Sequence, residues 1–254
     1  MSLSVRLLGT GDAGGVPRYG CACGACERAT LQPGFWRRPS TALVETDQAR
    51  ILIDAGLTDL TEHFPPGSLS AIVLTHFHPD HVQGLLHLRW GLGEAIPVYC
   101  PPDATGCADL FKNPGLLDFR PLTTFESILI GDVSVTPLPL IHSKITFGYA
   151  LTVADRERFA YLTDTLDLPA KTLDFLQEWK PDAVALDCTH PPSAVAPRNH
   201  NDLRMALAIA DQLAPATVYL THVGHALDAW LLDPPESLPT NVRLARDGLR
   251  VFNR

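Results

Sequence analysis

Residues 75–81 read Thr75-His76-Phe77-His78-Pro79-Asp80-His81 and directly follow an apolar run at positions 71–74. His76 and His78 lie two positions apart in an extended chain end, so both side chains face the same side. Imidazole and carboxylate groups together suit Zn²⁺, Mn²⁺ or Fe²⁺ better than Ca²⁺. Because one open catalytic site usually keeps three protein ligands and a water, four candidate ligands predict a pair of metals about 3.5–4 Å apart.

Three further metal-competent residues come directly after apolar segments elsewhere in the chain. They are His142, Asp164 and His222. Each of them alone could be a capping residue or a polar group satisfied in the core. Their shared placement at strand ends favours a common site with the histidine-rich segment, and it disfavours the alternative of a surface loop with coincidental histidines.

Short runs rich in Val, Ile and Leu alternate with helical patterns along the whole chain. They predict strands at 4–8, 42–46, 50–53, 71–74, 97–99, 128–130, 133–138, 147–153, 159–162, 183–186, 217–220 and 249–252. They predict helices at 81–88, 104–112, 170–177, 201–213 and 226–231. Strands in pairs, followed by strands alternating with helices, fit two sheets covered by helices. Since no linker divides the chain, we expect a single domain over residues 1–254.

A cysteine cluster lies in the segment 20–26, which we interpret as a metal-binding loop. Cys21, Cys23 and Cys26 form Cys-x-Cys-x-x-Cys. Three thiols this close suit a structural Zn²⁺, which is usually four-coordinate, so a fourth ligand must come from elsewhere. His225 is our candidate. The alternative is three reduced cysteines without a metal.

The ordered series of candidate ligands resembles that of the metallo-β-lactamase superfamily, and the resemblance includes Asp54 in Ile51-Leu52-Ile53-Asp54-Ala55-Gly56. It implies an αββα four-layer sandwich. It implies two ligand triads: His76, His78 and His142 for one metal, and Asp80, His81 and His222 for the other. It further implies that Asp164 bridges the metals and that Asp54 is a carboxylate that orients a ligand from behind.

Within that superfamily the chain resembles the PhnP family of phosphodiesterases of the carbon–phosphorus lyase pathway. The resemblance spans residues 3–231 and rests on the cysteine cluster after Gly9-Thr10-Gly11, the Thr-His-x-x-His run at 221–225, and the segments 80–85, 88–91, 113–119, 142–144 and 197–200. It implies hydrolysis of 5-phospho-α-D-ribosyl 1,2-cyclic phosphate to ribose 1,5-bisphosphate in phosphonate catabolism. It also implies a homodimer with one structural Zn²⁺ and two active-site metals, Mn²⁺ or Zn²⁺.

His200 follows a Pro-rich segment at 190–198 and is our candidate general acid. In related phosphodiesterases the matching histidine protonates the leaving oxygen, and Asp187 occupies the position of the acid that orients it. The alternative is a residue at a helix N-terminus without a catalytic role. For the distal phosphate of the substrate we expect contacts with Lys144, Arg198 and His190, although exposed cations are usually just solvated.

The composition narrows the classes of partner. The 254 residues carry a formal net charge of −8, and 46% of them are hydrophobic. An acidic chain argues against a nucleic-acid partner, because such binding usually needs a basic surface. No apolar run approaches the ~20 residues of a membrane span, and the N-terminus lacks the pattern of a signal peptide. Six cysteines in a chain of this length are no disulfide scaffold, so we expect a cytoplasmic protein.

Four rival functions are less consistent with the sequence. Gly9-Thr10-Gly11-Asp12-Ala13-Gly14 spells Gly-x-Gly-x-x-Gly, but a dinucleotide fold needs a helix to begin there, and Pro17 and the cysteines follow instead. A tRNA 3′-processing endonuclease should carry a long basic insertion. A thioesterase of the glyoxalase II kind explains neither the cysteine cluster nor His200. A non-catalytic metal or redox sensor does not need the complete ligand set.

Overall fold

The computed structural model describes residues 2–235 and 237–252. Its strands are β1 (Ser4–Gly9), β2 (Thr41–Glu45), β3 (Arg50–Ile53), β4 (Ala71–Val73), β5 (Ile96–Cys100), β6 (Leu117–Pro121), β7 (Ile128–Ile130), β8 (Val133–Pro139), β9 (Phe147–Val153), β10 (Phe159–Leu162), β11 (Ala183–Asp187), β12 (Thr217–Thr221), β13 (Val242–Leu244) and β14 (Leu249–Arg250). Its α-helices are α1 (Gly24–Leu31), α2 (Leu60–His63), α3 (Pro79–Val82), α4 (Leu85–Leu88), α5 (Ala108–Lys112), α6 (Ala170–Trp179), α7 (Leu203–Leu213) and α8 (His225–Trp230). Of the predicted single domain over 1–254, Met1, Glu236, Asn253 and Arg254 lie outside the described residues, and the prediction itself stays a prediction.

The strands form two sheets of seven strands each. The first has the order β14-β1-β2-β3-β4-β5-β6 and the second the order β13-β12-β11-β10-β9-β8-β7. In the first sheet β3 to β6 run parallel, and in the second β10 to β13 run parallel. Since the carboxyl ends of parallel strands meet at one edge of a sheet, each sheet has an edge where loop residues can converge.

Three apolar layers separate the sheets and helices. Between the two sheets lie fully buried side chains such as Ile51, Tyr149 and Tyr161. A second layer joins the first sheet to α2–α5, and a third joins the second sheet to α6–α8. The strands are apolar on both faces because both faces are covered. The order helix, sheet, sheet, helix confirms the predicted αββα sandwich. No helix in the described ranges is long and apolar enough to cross a membrane.

The structure departs from the predicted elements where side chains are polar or glycine intervenes. The edge strands β6 and β13 were missed because only part of each is buried. The helix predicted over 81–88 is split into α3 and α4. A Cβ on Gly84, between them, would lie 2.2 Å from the carbonyl oxygen of Leu57, so only glycine fits there. The helix predicted over 104–112 begins only at Ala108, because Asp103 closes a turn by accepting the N–H groups of Thr105 and Gly106.

The glycine-rich segment after β1 packs against another stretch of backbone. A Cβ on Gly9 would lie 2.0 Å from the carbonyl oxygen of Pro39, and one on Gly11 would lie 2.8 Å from that of Arg37. The next helix, α1, begins at Gly24 rather than inside the motif. These glycines therefore permit close backbone packing, and the geometry of a dinucleotide-binding turn is absent from this described segment.

Candidate metal centre

The predicted ligands lie at the carboxyl ends of neighbouring strands. Asp54 follows β3, Asp164 lies two residues past β10, and His222 follows β12. All three adopt left-handed backbone conformations, with φ of 59°, 61° and 56°. Asp and His are among the residues that tolerate this region best, and the conformation turns each side chain sharply off its strand. The two sheets thus bring these side chains together at one edge of the sandwich.

The first triad forms a tight cluster of imidazole nitrogens. His78 Nδ1 lies 2.8 Å from His76 Nε2 and 3.0 Å from His142 Nε2. Burial is the largest cause that lowers the pKa of each of these three histidines, and neighbouring histidines lower it further. Three neutral imidazoles with converging nitrogens are the donor set that a divalent transition metal requires.

The second triad consists of Asp80, His81 and His222, whose ligand atoms lie within 4.8 Å of one another. The Nε2 atoms of both histidines are buried and form no hydrogen bond in the structure. Burial raises the pKa of Asp80, but contacts with His222 and His81 outweigh it and hold that pKa well below its usual range. An ionised carboxylate beside two unsatisfied buried nitrogens fits a second divalent cation.

Asp164 lies between the two triads. Its Oδ1 is 3.8 Å from His76 Nε2 and 3.7 Å from His142 Nε2, and its Oδ2 is 3.2 Å from His81 Nε2. Burial raises the pKa of this carboxyl, but the surrounding histidines, His222 first among them, outweigh burial and hold the pKa well below its usual range. Oδ1 also lies 3.4 Å from His222 Nε2, so this ionised carboxylate contacts histidines of both triads, as a bridging ligand would.

The ring nitrogens that face away from the centre have oxygen partners. These pairs are His81 Nδ1 with Asp54 Oδ2 at 2.8 Å, His222 Nδ1 with Thr189 Oγ1 at 2.9 Å, His142 Nδ1 with the Asn199 carbonyl at 3.1 Å, and His76 Nδ1 with Thr75 Oγ1 at 3.0 Å. Such partners fix the tautomer and leave Nε2 for the metal. Sequence reasoning placed Asp54 here but missed Thr189 and Asn199, since no local pattern distinguishes them from ordinary loop residues.

His200 and Asp187 form a pair beside the centre. His200 Nδ1 lies 2.9 Å from Asp187 Oδ2, and the same oxygen accepts the backbone N–H of Asp164 at 2.9 Å. The His200 ring stacks on that of His222 with centroids 4.6 Å apart. Because Nδ1 is held by the carboxylate, Nε2 is the nitrogen that can give up a proton to a bound molecule.

The three residues predicted to bind the distal phosphate have different surroundings. The His190 ring lies 6.2 Å from that of His200, and burial lowers the pKa of His190. Lys144 Nζ lies 3.7 Å from Asp103 Oδ2, so an acid already pairs with this cation. Arg198 is exposed in the Pro-rich segment. The structure thus brings His190 beside the site, and the assignment of all three stays a prediction.

The cysteine cluster is assembled as a separate site. The Sγ atoms of Cys21, Cys23 and Cys26 lie within 4.8 Å of one another and of a ring nitrogen of His225. His225 Nδ1 is 3.4 Å from Cys21 Sγ and 3.6 Å from Cys23 Sγ. Burial raises the pKa of the Cys23 thiol, but the contacts with His225 and the other cysteines outweigh it and lower the pKa to about 6. Thiolate and imidazole in this number fit tetrahedral zinc. The predicted loop is only partly a loop, since α1 begins at Gly24 and contains Cys26.

Comparison with known proteins places the chain and its fold in a family. The profile of the β-lactamase superfamily domain matches residues 49–223. A crystal structure described as a new diphosphatase from the PhnP family superposes with a TM-score of 0.82 at 27% identity, covering 99% of this chain and 97% of that one. An octanoyltransferase of Porphyromonas gingivalis is 27% identical over 97% of this chain and 51% of its own length. A ribonuclease Z of Methanopyrus kandleri is 28% identical over 59% of this chain and 50% of its own length.

The chain therefore spans about half the length of these curated relatives, whereas it matches the PhnP-family structure from end to end. The profile match covers most of the chain and includes all seven residues of the two triads and the bridging position. This chain belongs to the metallo-β-lactamase superfamily, with the fold of its metal-dependent hydrolases and a PhnP-like structure.

Proposed function

We propose that the chain is a metal-dependent phosphodiesterase that hydrolyses 5-phospho-α-D-ribosyl 1,2-cyclic phosphate to ribose 1,5-bisphosphate in phosphonate catabolism. The observation that carries the proposal is the arrangement of Asp164 between two ligand triads, with the His200–Asp187 pair 2.9 Å apart beside them. Two divalent metals, Mn²⁺ or Zn²⁺, would occupy the triads, and one Zn²⁺ would occupy the cysteine cluster.

When bound, the two metals supply hydroxide near neutral pH and neutralise charge on the phosphoryl oxygens. The protein's own residues do the remaining work. His76, His81 and Asp164 are almost fully buried, so the wall of the site behind the substrate is dry. A dry, preorganised wall strengthens each electrostatic contact with the phosphoryl group compared with bulk water.

His200 would complete the reaction by protonating the leaving oxygen. In the product the phosphate stays on O1 of the ribose, so the bond that breaks joins phosphorus to O2. O2 leaves as an alkoxide, which is a poor leaving group unless it receives a proton in the transition state. His200 Nε2 would donate that proton, while Asp187 accepts Nδ1–H at 2.9 Å and holds the ring in orientation.

The 5-phosphate of the substrate needs cations at the rim of the site. His190 lies beside His200, and Arg198 extends from the same Pro-rich segment. Lys144 follows His142 and is oriented by Asp103 at 3.7 Å. We assign Lys144 and Arg198 to the distal phosphate as cations, because a chain with a net charge of −8 can hold a dianion only where its cations are concentrated locally. His190, whose pKa is lowered by burial, would contact the same phosphate as a hydrogen-bond donor.

A diphosphatase is the second candidate, because the protein whose structure matches this chain over 97% of its length is described as one. The same centre could attack phosphorus in a phosphoanhydride, whose leaving phosphate needs no general acid. The ribonuclease Z relative suggests RNA as a further substrate class, which the acidic charge balance of this chain disfavours.

Parallel hydrolysis assays of the purified protein with added Mn²⁺ separate these functions. Phosphorus NMR follows the two sugar phosphates, gel electrophoresis follows the tRNA, and absorbance follows the thioester. We expect the cyclic ribosyl phosphate to be converted to ribose 1,5-bisphosphate at least a hundredfold faster than a sugar diphosphate, 3′-extended tRNA or a glutathione thioester is hydrolysed. Faster cleavage of any of the three would replace the proposed substrate class. Metal binding without turnover of any substrate would support the non-catalytic sensor instead.

A further inference from the structure

The backbone at His222 is held in a conformation that requires support. His222 has φ of 56°, directly after β12 ends at Thr221. A non-glycine residue in this region is strained, and it persists only where the surrounding structure fixes it. The position of the His222 ring in the second triad therefore depends on what holds the segment that follows it.

The residues after His222 are clamped between two other segments. Val223 N donates to the Thr10 carbonyl at 2.8 Å, and Asp12 N donates to the Val223 carbonyl at 3.4 Å. Gly224 N donates to the Thr189 carbonyl at 3.2 Å, and a Cβ on Gly224 would lie 2.8 Å from that oxygen. Residues 223 and 224 are therefore fixed on both sides, so a shift of the backbone at residues 10–12 would also move His222.

The loop that follows residues 10–12 and carries the cysteines has few apolar contacts of its own. Between Val16 and Ala25 the chain is largely exposed, and the small apolar cluster around it buries only Val16, Ala25, Cys26 and Ala29. The four cysteine-cluster ligands are what join this loop to His225, the first residue of α8 and the third after His222. A metal in the cluster thus closes a ring of chain that runs from Thr10 through the cysteines and back through Val223.

Other contacts hold α8 and the Thr10 end of this ring, since Arg37 Nη1 also donates to Thr10 Oγ1 at 3.0 Å. Arg28 and Arg37 form ion pairs with Asp228 at 3.2 and 3.0 Å, one turn beyond His225. These pairs would keep the helix in place if the cluster lost its metal. They do not contact the 18–24 loop or His225, so the start of α8, and with it the short segment back to His222, would loosen first.

We propose that the Cys21–Cys23–Cys26–His225 cluster is a positioning device for His222, so that loss of its zinc selectively weakens metal binding by the second triad. The inference rests on the ligand assignment in the proposed function. Selectivity follows from the origin of the first triad, since His76 and His78 follow β4 and His142 follows β8, on strands that do not contact the cluster.

The test compares His225→Ala with His225→Cys, which restores a fourth zinc ligand. Zinc per chain is measured by elemental analysis, and the two Mn²⁺ dissociation constants by electron paramagnetic resonance. We expect His225→Ala to lose the zinc and weaken one Mn²⁺ dissociation constant by about tenfold or more, as loss of outer support for a ligand does. The other constant should stay within twofold, and His225→Cys should keep zinc and both affinities.

His87→Ala, at an exposed histidine in α4, is the matched control and should change nothing. Asp80→Ala identifies which Mn²⁺ belongs to the second triad. Loss of zinc with both constants unchanged would overturn the inference, and so would equal weakening of both. If His225→Ala does not fold, zinc displacement from the wild-type chain by a mercurial thiol reagent provides the same comparison. Because the readout is metal binding, absence of phosphodiesterase turnover would refute the proposed function without affecting this result.

Discussion

Asp187 accepts the His200 Nδ1–H at 2.9 Å through the same carboxylate oxygen that accepts the backbone N–H of Asp164. One buried acid therefore fixes both the candidate proton donor and the strand end that carries the bridging carboxylate. This shared anchor ties the position of the proton donor to that of the bridging carboxylate. It also makes the role of His200 separable from the role of the ligands by mutation.

His200→Ala should lower turnover of the cyclic ribosyl phosphate by ~10²–10⁴ while metal content is unchanged, because a general acid contributes about that much. Turnover of bis(p-nitrophenyl) phosphate should fall far less, since an acidic phenol leaves without a proton. Steady-state kinetics with both substrates, together with metal analysis, measure this difference. A loss of less than tenfold with the ribosyl substrate would remove His200 from the mechanism.

Thr189→Val should weaken metal binding by about 10–100-fold, because the Thr189 hydroxyl is the partner of His222 Nδ1 at 2.9 Å. Thr189→Ser keeps the hydroxyl and should retain most of the affinity, whereas the isosteric valine does not. Calorimetric titration of each variant with Mn²⁺ gives the comparison. Equal affinities for the serine and valine variants would show that the hydroxyl does not orient the ligand.

Metal binding at the second triad should release protons and strengthen as the pH rises. Burial lowers the pKa of His222, but Asp164 and Asp80 outweigh burial and raise it to about 9. At pH 7 the metal-free ring is therefore protonated, and a metal must displace that proton. Apparent affinity should increase by about tenfold per pH unit for each proton displaced, up to about pH 9.

The raised pKa of His222 has the opposite effect on the stability of the metal-free protein, which should fall as the pH rises. The stabilisation from a raised histidine pKa is fully present below the ordinary value of 6.5 and is lost as the pH rises to about 9. Calorimetry in two buffers of different ionisation enthalpy counts the released protons, and urea unfolding of metal-free protein checks the stability. Binding without proton release at pH 7 would contradict the electrostatics described for this triad.

Arg198→Ala should raise KM for the cyclic ribosyl phosphate about tenfold or more, because a hydrogen bond to a charged group contributes roughly 1.5–3 kcal/mol. It should leave kcat within twofold, because the contact with the distal phosphate is made equally in the bound substrate and in the transition state. Arg156→Ala, an exposed arginine between β9 and β10 at the opposite edge of the sheet, is the matched control. An unchanged KM would show that Arg198 is a solvated surface cation.

The sequence predicted the parts of this molecule whose physical cause is local. Strands covered on both faces are apolar almost throughout, so β3, β9 and β10 have the predicted bounds. Ligands at strand ends could be found because strand ends of a sandwich meet. The fourth member of the cysteine cluster could be proposed because zinc needs four ligands and His225 was available.

The remainder depended on contacts between distant residues. The ion pair of Lys144 with Asp103 joins loops 41 positions apart, and no sequence pattern in either loop predicts it. The Asn199 partner of His142 is a backbone carbonyl, which no residue type reveals. In the edge strand β6 the charged residues Asp118 and Arg120 alternate with apolar residues. These two side chains form an ion pair in solvent, so the sequence pattern resembles that of a loop.

The central claim is that two metals, held by the triads around Asp164, catalyse phosphodiester hydrolysis. The most direct measurement adds Mn²⁺ stepwise to metal-stripped protein that has been reloaded with zinc in the cysteine cluster, and follows hydrolysis of bis(p-nitrophenyl) phosphate. We predict that the rate rises until two Mn²⁺ are bound per chain, and that Asp164→Asn abolishes the rise. No hydrolysis with Mn²⁺, Zn²⁺ or Fe²⁺, or a rate that is complete after one equivalent, would contradict the account.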